Sequence, residues 1–251
     1  MVEARAYRLG FSGELVQQRL VIGETDLALC LPEGCWNQEI KQQLSTYLVN
    51  LRRQLQKYIA DDPEFAATHR PYRPALSAPS VARALAQAGW AAKTGPMAAV
   101  AGYFAAAAGN FLSVYAEELI VENGGDIYLR GKKPRIIGIY AGKTNPFSGR
   151  IGVKISPQQL PCGVCTSSGT IGQSFSYGVA DAALVMAEDA ALADAVATAA
   201  GNLVKGAEDV AAAAEYACSI PGIGGAVIIC GEQLAVKGQI EIVSLNMKNR
   251  I

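Results

Sequence analysis

The helical and strand-like segments of this chain fall into separate blocks, and this grouping limits the possible folds more than any other feature of the sequence. Apolar residues recur at a spacing near 3.6 from Ile40 to Ile59, with a charged opposite face, as in an amphipathic helix. Short apolar runs such as residues 119–121 and 127–129 are separated only by turn residues. Regular alternation of strand and helix would predict a parallel sheet. Its absence predicts an α+β fold, with mixed or antiparallel sheets packed against helices in a single compact domain.

The same patterns place the individual elements along the chain. Strands are predicted at residues 7–9, 15–22, 24–30, 119–121, 127–129, 136–140, 151–155, 182–187, 225–230 and 240–245. Helices are predicted at residues 36–60, 80–92, 97–115, 190–203 and 207–216. A turn at residues 10–13 and a Pro-rich loop at residues 61–80 connect some of these elements. We expect one domain that spans residues 1–251 and contains the Pro-rich loop.

Charge and cysteine content narrow the partners and the compartment. The chain has 22 basic and 22 acidic residues, and it lacks the concentrated basic surface that nucleic acids or anionic membranes require. Its six cysteines are scattered unevenly through 251 residues, which is typical of thiols in a reducing compartment. We therefore expect a cytoplasmic protein that binds neither nucleic acid nor membrane. The sequence does not fix the number of subunits, and a homodimer is compatible with it.

One uncharged segment, residues 94–116, is long enough to cross a bilayer. Almost half of it is Ala or Gly, with Pro96, Asn110 and Ser113 among them, and it has few of the Leu, Ile or Phe residues that drive membrane insertion. We expect a buried helix of a soluble core. The small residues Ala99, Gly102 and Ala106 would allow another backbone to approach closely.

Residues 161–202 look like a polar loop followed by a helix, which together could hold a charged ligand. Positions i and i+4 of a helix share one face, so Asp194 and Thr198 present a carboxylate and a hydroxyl side by side. Two hard oxygens suit Mg²⁺, which usually takes one or two carboxylates together with phosphates and water. The hydroxyl-rich loop would supply donors for those phosphates through Thr166, Ser167, Ser168, Gly169 and Thr170. The alternative is that Asp194 and Thr198 only decorate the polar face of an Ala-rich helix.

Residues 123–126, Asn-Gly-Gly-Asp, lie between two apolar runs and form a strong hairpin signal. The simple interpretation is a tight turn. The functional one is that Gly124 and Gly125 let a ligand lie against the backbone while Asn123 and Asp126 hydrogen-bond to it.

Two further features concern side chains with reactive atoms. Cys162 and Cys165 form a Cys-x-x-Cys pair at the start of the polar stretch, so thiol chemistry is a second hypothesis. His69 is the only histidine. Any chemistry that needs an imidazole therefore has one candidate, although a lone histidine in a Pro-rich loop is more often a surface residue.

The order of three segments resembles the ApbE family, whose members move FMN from FAD onto a protein threonine with Mg²⁺. The segments are residues 95–103 (Gly-Pro-Met-Ala-Ala-Val-Ala-Gly-Tyr), residues 122–126 (Glu-Asn-Gly-Gly-Asp), and residues 166–169 (Thr-Ser-Ser-Gly) followed by residues 193–198 (Ala-Asp-Ala-Val-Ala-Thr). The chain is most similar to an uncharacterised branch of ApbE-like proteins, over most of residues 15–205. The resemblance implies an ApbE-like fold, FAD or another nucleotide as ligand, Mg²⁺ at Asp194 and Thr198, and an acceptor protein.

The chain departs from the ApbE pattern at two positions. ApbE enzymes have a lysine where this chain has Ala101, and a histidine-containing segment that is missing here; Gln173 stands where relatives in the branch often have histidine. Three hypotheses follow. The chain is a flavin- or nucleotide-binding protein related to FMN transferases, a cysteine-dependent sulfur-transfer protein of the kind that the branch suggests, or a non-catalytic scaffold.

Overall fold

An antiparallel sheet of eight strands organises the fold of residues 14–170 and 177–245, which the computed structural model describes. Within these residues the strands are β1 (Val16–Ile22), β2 (Thr25–Leu31), β3 (Leu119–Asn123), β4 (Asp126–Arg130), β5 (Arg135–Gly138), β6 (Ile151–Ile155), β7 (Cys162–Ser167), β8 (Ala182–Ala187), β9 (Ile223–Cys230), β10 (Gln233–Gly238) and β11 (Glu241–Ser244). The large sheet has the order β1-β2-β3-β4-β7-β8-β9-β10, and β11-β6-β5 form a second sheet. All of the paired neighbours run antiparallel.

Helices connect these strands at a few points and occupy one side of the molecule. They are α1 (Gln38–Asp61), α2 (Glu64–Ala67), α3 (Ser80–Ala91), α4 (Val100–Leu112), α5 (Ala190–Leu203) and α6 (Val210–Ser219), with 3₁₀ turns at Pro96–Ala99, Pro157–Gln159 and Ala207–Asp209. Apolar residues at the helical spacing of α1 are buried, including Leu44, Leu48 and Leu55. Burial of this stripe fixes α1 on the helical layer.

The two faces of the large sheet contact different partners. Alternate residues of a strand point to opposite faces, so β7 contributes Cys165 to the helix-covered core and Cys162 and Val164 to the core under the small sheet. Strand β7 lies between β4 and β8, and four of its six residues are buried. The fold thus consists of a helical layer, the large sheet and the small sheet, in one compact domain.

The sequence predicted the fold class and several elements correctly. The α+β architecture is confirmed, and the predicted strand 182–187 and helix 190–203 coincide with β8 and α5. The predicted helix 97–115 is shorter at both ends, because a 3₁₀ turn occupies Pro96–Ala99 and α4 ends at Leu112. The predicted strand 7–9 and turn 10–13 lie outside the described residues.

The polar stretch that begins at Cys162 was predicted wrongly as a loop. Residues 162–167 form β7, and only the residues after Ser167 leave the sheet. The Thr and Ser side chains suggested a loop, but a central strand is held by backbone pairing with both neighbours, which tolerates small polar side chains at its end. Strand β10 and the short helix α2 were not predicted.

The uncharged segment at residues 94–116 forms the 3₁₀ turn, α4 and its flanking residues. Helix α4 buries Gly102, Phe104, Gly109 and Leu112 among others. Within the residues that the structure describes, every helix is too short or too polar to cross a membrane.

Candidate functional site

Asp194 lies on α5 with its carboxylate against the first turn of α4. Its Oδ2 accepts a hydrogen bond from the backbone N–H of Gly102 at 2.9 Å. The residue is only 8% exposed. Backbone N–H groups in the first turn of a helix lack partners within the helix, and the positive end of the helix dipole favours an anion there. The carboxylate therefore occupies a position that the start of α4 stabilises.

A glycine at position 102 makes this contact geometrically possible. A Cβ built on Gly102 would lie 2.2 Å from the carbonyl oxygen of Ala190 and 2.8 Å from Cβ of Asp194. These distances are too short for any side chain. The sequence thus lets the backbones of α4 and α5 cross in direct contact, as the small residues of this helix predicted.

Asp126, the first residue of β4, is a second buried carboxylate close to Asp194. Its Oδ1 accepts a hydrogen bond from the backbone N–H of Thr166 at 3.3 Å, and the neighbouring Cys165 thiol donates to the carbonyl oxygen of Ala190 at 3.3 Å. Burial raises the pKa of Asp126 to about 7; the Cys165 thiol and the Thr166 N–H oppose this rise, and the charge of Glu122 adds to it. Asp126 therefore keeps its proton to a higher pH than an ordinary carboxyl group.

The two carboxylates affect each other. Burial raises the pKa of Asp194 well above its ordinary value, the negative charge of Asp126 raises it further, and the N–H groups of Gly102 and Ala101 oppose the rise. Both carboxyl groups are buried away from water, and they lie close together. Ionising both of them therefore costs much free energy. Protons or a bound cation would remove this cost.

The Asn-Gly-Gly-Asp segment forms the tight turn that its sequence predicted. Gly124 and Gly125 connect β3 to β4 with φ angles of +71° and +108°, and Asn123 pairs with Asp126. The Asn123 side-chain amide donates to the carbonyl oxygen of Ala101 at 3.1 Å. The turn is thereby fixed to the start of α4, beside the contact between Asp194 and Gly102.

Residues 166–170 contact two different parts of the structure. Thr166 bonds to Asp126, and the Ser167 hydroxyl lies near Gly201 on α5. Gly169 donates its N–H to the carbonyl oxygen of Ala180 at 2.8 Å.

The side chains of Ser168 and Thr170 form a separate network. Their hydroxyl oxygens are 3.3 Å apart, and the Thr170 hydroxyl bonds to Asp181. Asp181 also accepts hydrogen bonds from Asn145 and the Gly231 N–H. The structure therefore brings Asn123, Asp126, Thr166 and Asp194 together around the start of α4, whereas the Thr170 side chain is held by Asp181.

Thr198, one helical turn after Asp194, lies in the wall of a cleft of about 370 Å³. The cleft is lined by Ala66, Thr68, His69, Ala92, Lys93, Thr94, Gly95, Met97, Ala98, Tyr177, Thr198, Ala199, Asn202, Leu203 and Tyr216. Thr94 is 7% exposed, and its hydroxyl has no hydrogen-bond partner. A buried hydroxyl without a partner costs free energy, so this wall has unused hydrogen-bonding capacity.

Sequence reasoning missed one wall of this cleft. Residues 68–69 of the Pro-rich loop pack directly on the backbone before α4, because a Cβ built on Gly95 would lie 2.0 Å from the carbonyl oxygen of Thr68. The signals that could have revealed it were the unique His69 and the Gly95-Pro96 pair before an Ala-rich helix. His69 is exposed at the cleft, so the prediction that it lies on the surface is confirmed. Gln173 lies outside the described residues.

Asp194 and Thr198 offer oxygen atoms, which fit Mg²⁺ better than a softer metal. A carboxylate from Asp194 and a hydroxyl from Thr198 are hard ligands, and Mg²⁺ completes its octahedron with phosphates and water. Among the residues that the structure describes, no group of three or more His, Cys, Asp or Glu side chains could hold a metal ion. The arrangement therefore suits a cation bound jointly with an anionic ligand, and does not suit a site made by protein groups alone.

The two cysteines of the Cys-x-x-Cys pair do not form a thiol site in the structure. Cys162 and Cys165 point to opposite faces of the large sheet, so they cannot form a disulfide with each other. Burial raises the pKa of Cys162 to about 12. Burial, together with the charges of Asp126 and Asp194, raises the pKa of Cys165 well above its ordinary value. Neither thiol has the exposure or the thiolate character that sulfur transfer requires.

Comparisons with known proteins agree on one family and one fold. The model of the family described as AbpE bacteria matches residues 11–236. The chain is 42% identical over 194 residues to the UPF0280 protein of Methanocella arvoryzae, covering 77% of this chain and 78% of that protein. It is 37% identical over 227 residues to the UPF0280 protein of Methanococcoides burtonii, covering 90% and 93%.

Two solved structures share the fold at low sequence identity. The flavin transferase ApbE from Vibrio cholerae superposes with a TM-score of 0.60 at 12% identity, covering 89% of this chain and 96% of that protein. The ApbE protein from Thermotoga maritima superposes with a TM-score of 0.55 at 13% identity, covering 89% and 96%. At such identities the likeness concerns the fold alone.

Proposed function

The chain belongs to the AbpE bacteria family, and from this premise we propose that it binds FAD together with Mg²⁺ and transfers the FMN part to a hydroxyl of an acceptor protein. One observation carries the proposal. Asp194, buried against the first turn of α4, and Thr198, in the wall of the cleft, lie one helical turn apart on α5. Thr198 lines the cleft in which a ligand could lie, and Asp194 lies one turn away, buried against α4.

The charges favour a ligand that brings a cation with it. A pyrophosphate placed next to Asp126 and Asp194 would be repelled unless a cation lay between the negative groups. Asp194 and Thr198 would hold Mg²⁺, which when bound neutralises charge on the phosphates and lets water complete its shell. Metal affinity without nucleotide should be weak, because two protein ligands make an incomplete site.

The chain's own groups would position the pyrophosphate. Thr94 lines the cleft and its buried hydroxyl has no hydrogen-bond partner, while the end of β7 presents Thr166 and Ser167 beside α5. Phosphoryl transfer depends mainly on positioning and charge stabilisation, with little covalent participation by the protein. Hydroxyl groups held in place on α5 and at the end of β7 therefore support transfer without the histidine segment of the ApbE enzymes.

The substrate class is supported by the name of a structural neighbour. The Vibrio cholerae protein with the shared fold is a flavin transferase, so FAD is the first nucleotide to test here. Sulfur transfer is disfavoured by the burial of Cys162 and Cys165. A non-catalytic scaffold remains the comparison hypothesis.

Fluorescence titration with FAD, FMN and ADP, with and without Mg²⁺, tests the proposal. We expect FAD to bind more tightly with Mg²⁺ than without it, and more tightly than FMN, which lacks the pyrophosphate. Thr198→Val should remove the effect of Mg²⁺ and Thr198→Ser should retain it, because only serine keeps the hydroxyl. Absence of FAD binding under all conditions would refute the proposal and favour the scaffold.

A further inference from the structure

His69 lies in the wall of the same cleft as Thr198, although its segment is remote from α5 in sequence. The imidazole ring contacts the ring of Tyr177 edge to face, with centroids 5.5 Å apart and an angle of 85° between the planes. We propose that His69 is the general base of the transfer reaction and takes the proton of the attacking hydroxyl. The inference rests on the proposed function and deepens it, since it assigns the proton acceptor to the Pro-rich loop.

The start of the Pro-rich loop is fixed by aromatic packing and a shared carboxylate. Phe65 is fully buried and contacts Tyr58 and Tyr72 edge to face. The hydroxyl groups of both tyrosines donate to Asp62 at 2.9–3.0 Å. These contacts hold the chain on either side of His69.

Gly95 then places the histidine segment at the cleft. A Cβ built there would lie 2.0 Å from the carbonyl oxygen of Thr68 and 3.1 Å from Cα of His69. The loop backbone thus packs directly on the residue before the 3₁₀ turn at Pro96–Ala99. His69 is consequently held at the cleft by the same contact that shapes one of its walls.

Two other ionisable groups in the described lining, Lys93 and Tyr216, suit the role less well. Lys93 is an ammonium donor, which has no lone pair to accept a proton. The Tyr216 hydroxyl donates to the carbonyl oxygen of Ala92 at 3.0 Å. Imidazole is the side chain best suited to accept a proton near neutral pH.

The oxygen of the acceptor hydroxyl attacks the phosphorus of the FMN half of FAD, and a new P–O bond forms. The P–O bond to the AMP half breaks, and AMP leaves with that electron pair. The hydroxyl proton passes to the imidazole of His69, which later releases it to solvent. Water can replace the acceptor hydroxyl, so AMP release reports the step even without an acceptor protein.

The first test compares AMP release by wild type, His69→Ala, His69→Gln and Arg70→Ala with FAD and Mg²⁺. Loss of a general base typically lowers turnover by 10²–10⁴, so we expect both His69 variants to lose about 100-fold or more while their FAD affinity changes little. Arg70 is exposed, adjacent in the loop and absent from the cleft lining; its variant should retain wild-type turnover. Added imidazole should restore part of the turnover of His69→Ala. It should leave the turnover of wild type unchanged.

The second test does not depend on turnover. Because the chain has one histidine, diethyl pyrocarbonate labels a single imidazole, which mass spectrometry can quantify. We expect FAD with Mg²⁺ to slow labelling of His69, and Mg²⁺ alone to leave the rate unchanged.

The outcomes separate this inference from the proposed function. FAD binding with unchanged His69 labelling, or His69→Ala with wild-type AMP release, would overturn the role of His69 and leave FAD binding in place. Absence of FAD binding would refute both. FAD binding without AMP release by wild type would overturn the transfer step and the role of His69 together.

Discussion

The carboxylate of Asp194 accepts a hydrogen bond from the backbone N–H of Gly102, and this contact joins positions 92 residues apart in the chain. It places a buried carboxyl group at the start of α4, where the helix dipole favours the ionised form. The same contact requires the α4 and α5 backbones to touch. The architecture of the site and the packing of the helical layer therefore depend on one another.

Replacing Gly102 with alanine tests this dependence. The added Cβ would lie 2.2 Å from the carbonyl oxygen of Ala190, so the helices must separate, and overpacking of this kind costs about 1–3 kcal/mol. We expect a lower free energy of unfolding in urea denaturation. Gly201→Ala is the matched control, since a Cβ there meets only ordinary contacts from 3.5 Å outward. Alanine in that helix should stabilise the protein by about 0.4–1 kcal/mol. Equal stability of the two variants would contradict the close crossing.

The buried carboxylate of Asp126 predicts a pH dependence of stability. Its pKa is raised from 3.8 to about 7 on folding, chiefly by burial. Between these values the folded state binds more protons than the unfolded state, so stability falls as pH rises through this window. The slope approaches about 1.4 kcal/mol per pH unit for one group.

Urea denaturation of the metal-free protein from pH 4 to pH 8 measures this slope. We expect stability to decline over this window, with a contribution from Asp194, whose pKa burial also raises. Asp126→Asn removes one of the two titrating carboxylates and should make the decline shallower. A stability that rises over the same window would show that Asp126 is not in the environment described.

How far the sequence predicts the fold depends on how local the determinants are. Helix α5 begins where Asp189 caps Ala191 and ends near Gly201, and its Ala-rich sequence predicted both ends. Strand β7 was missed because its pairing with β4 and β8 is non-local and its composition is partly polar. The tight turn at Gly124 and Gly125 was predicted because two glycines at positive φ are a local requirement.

The parts of the candidate site that depend on local geometry were also predictable from the sequence, and the parts that depend on distant contacts were not. The i and i+4 spacing of Asp194 and Thr198 follows from helix geometry alone. The approach of Asp126 to Asp194 depends on sheet order and on Gly102, and the arrival of His69 at the cleft depends on the packing of Thr68 against Gly95. Such contacts between distant segments leave little signal in one sequence.

The thiols offer a prediction that separates the two chemical hypotheses. Cys162 and Cys165 are buried on opposite faces of the sheet, and thiolates are the reactive form. We expect both to resist alkylation by iodoacetamide in the native protein and to react after denaturation, as mass spectrometry of peptides would show. The half-buried Cys35, Cys218 and Cys230 serve as internal references. Rapid native labelling of Cys162 or Cys165, or a disulfide between them, would revive the sulfur hypothesis.

The central claim is that Asp194 couples nucleotide binding to Mg²⁺, and calorimetry of FAD binding to wild type and Asp194→Asn tests it most directly. Asparagine keeps an oxygen that can accept from the Gly102 N–H, so the fold should persist while the charge is lost. Asp189→Asn is the matched control: it removes a charge from the exposed start of the same helix, where asparagine caps equally well. We predict that Mg²⁺ raises the FAD affinity of wild type and of Asp189→Asn by about tenfold or more, which is about 1.4 kcal/mol, and leaves the affinity of Asp194→Asn unchanged. The same Mg²⁺ effect in all three proteins, or in none, would contradict the claim.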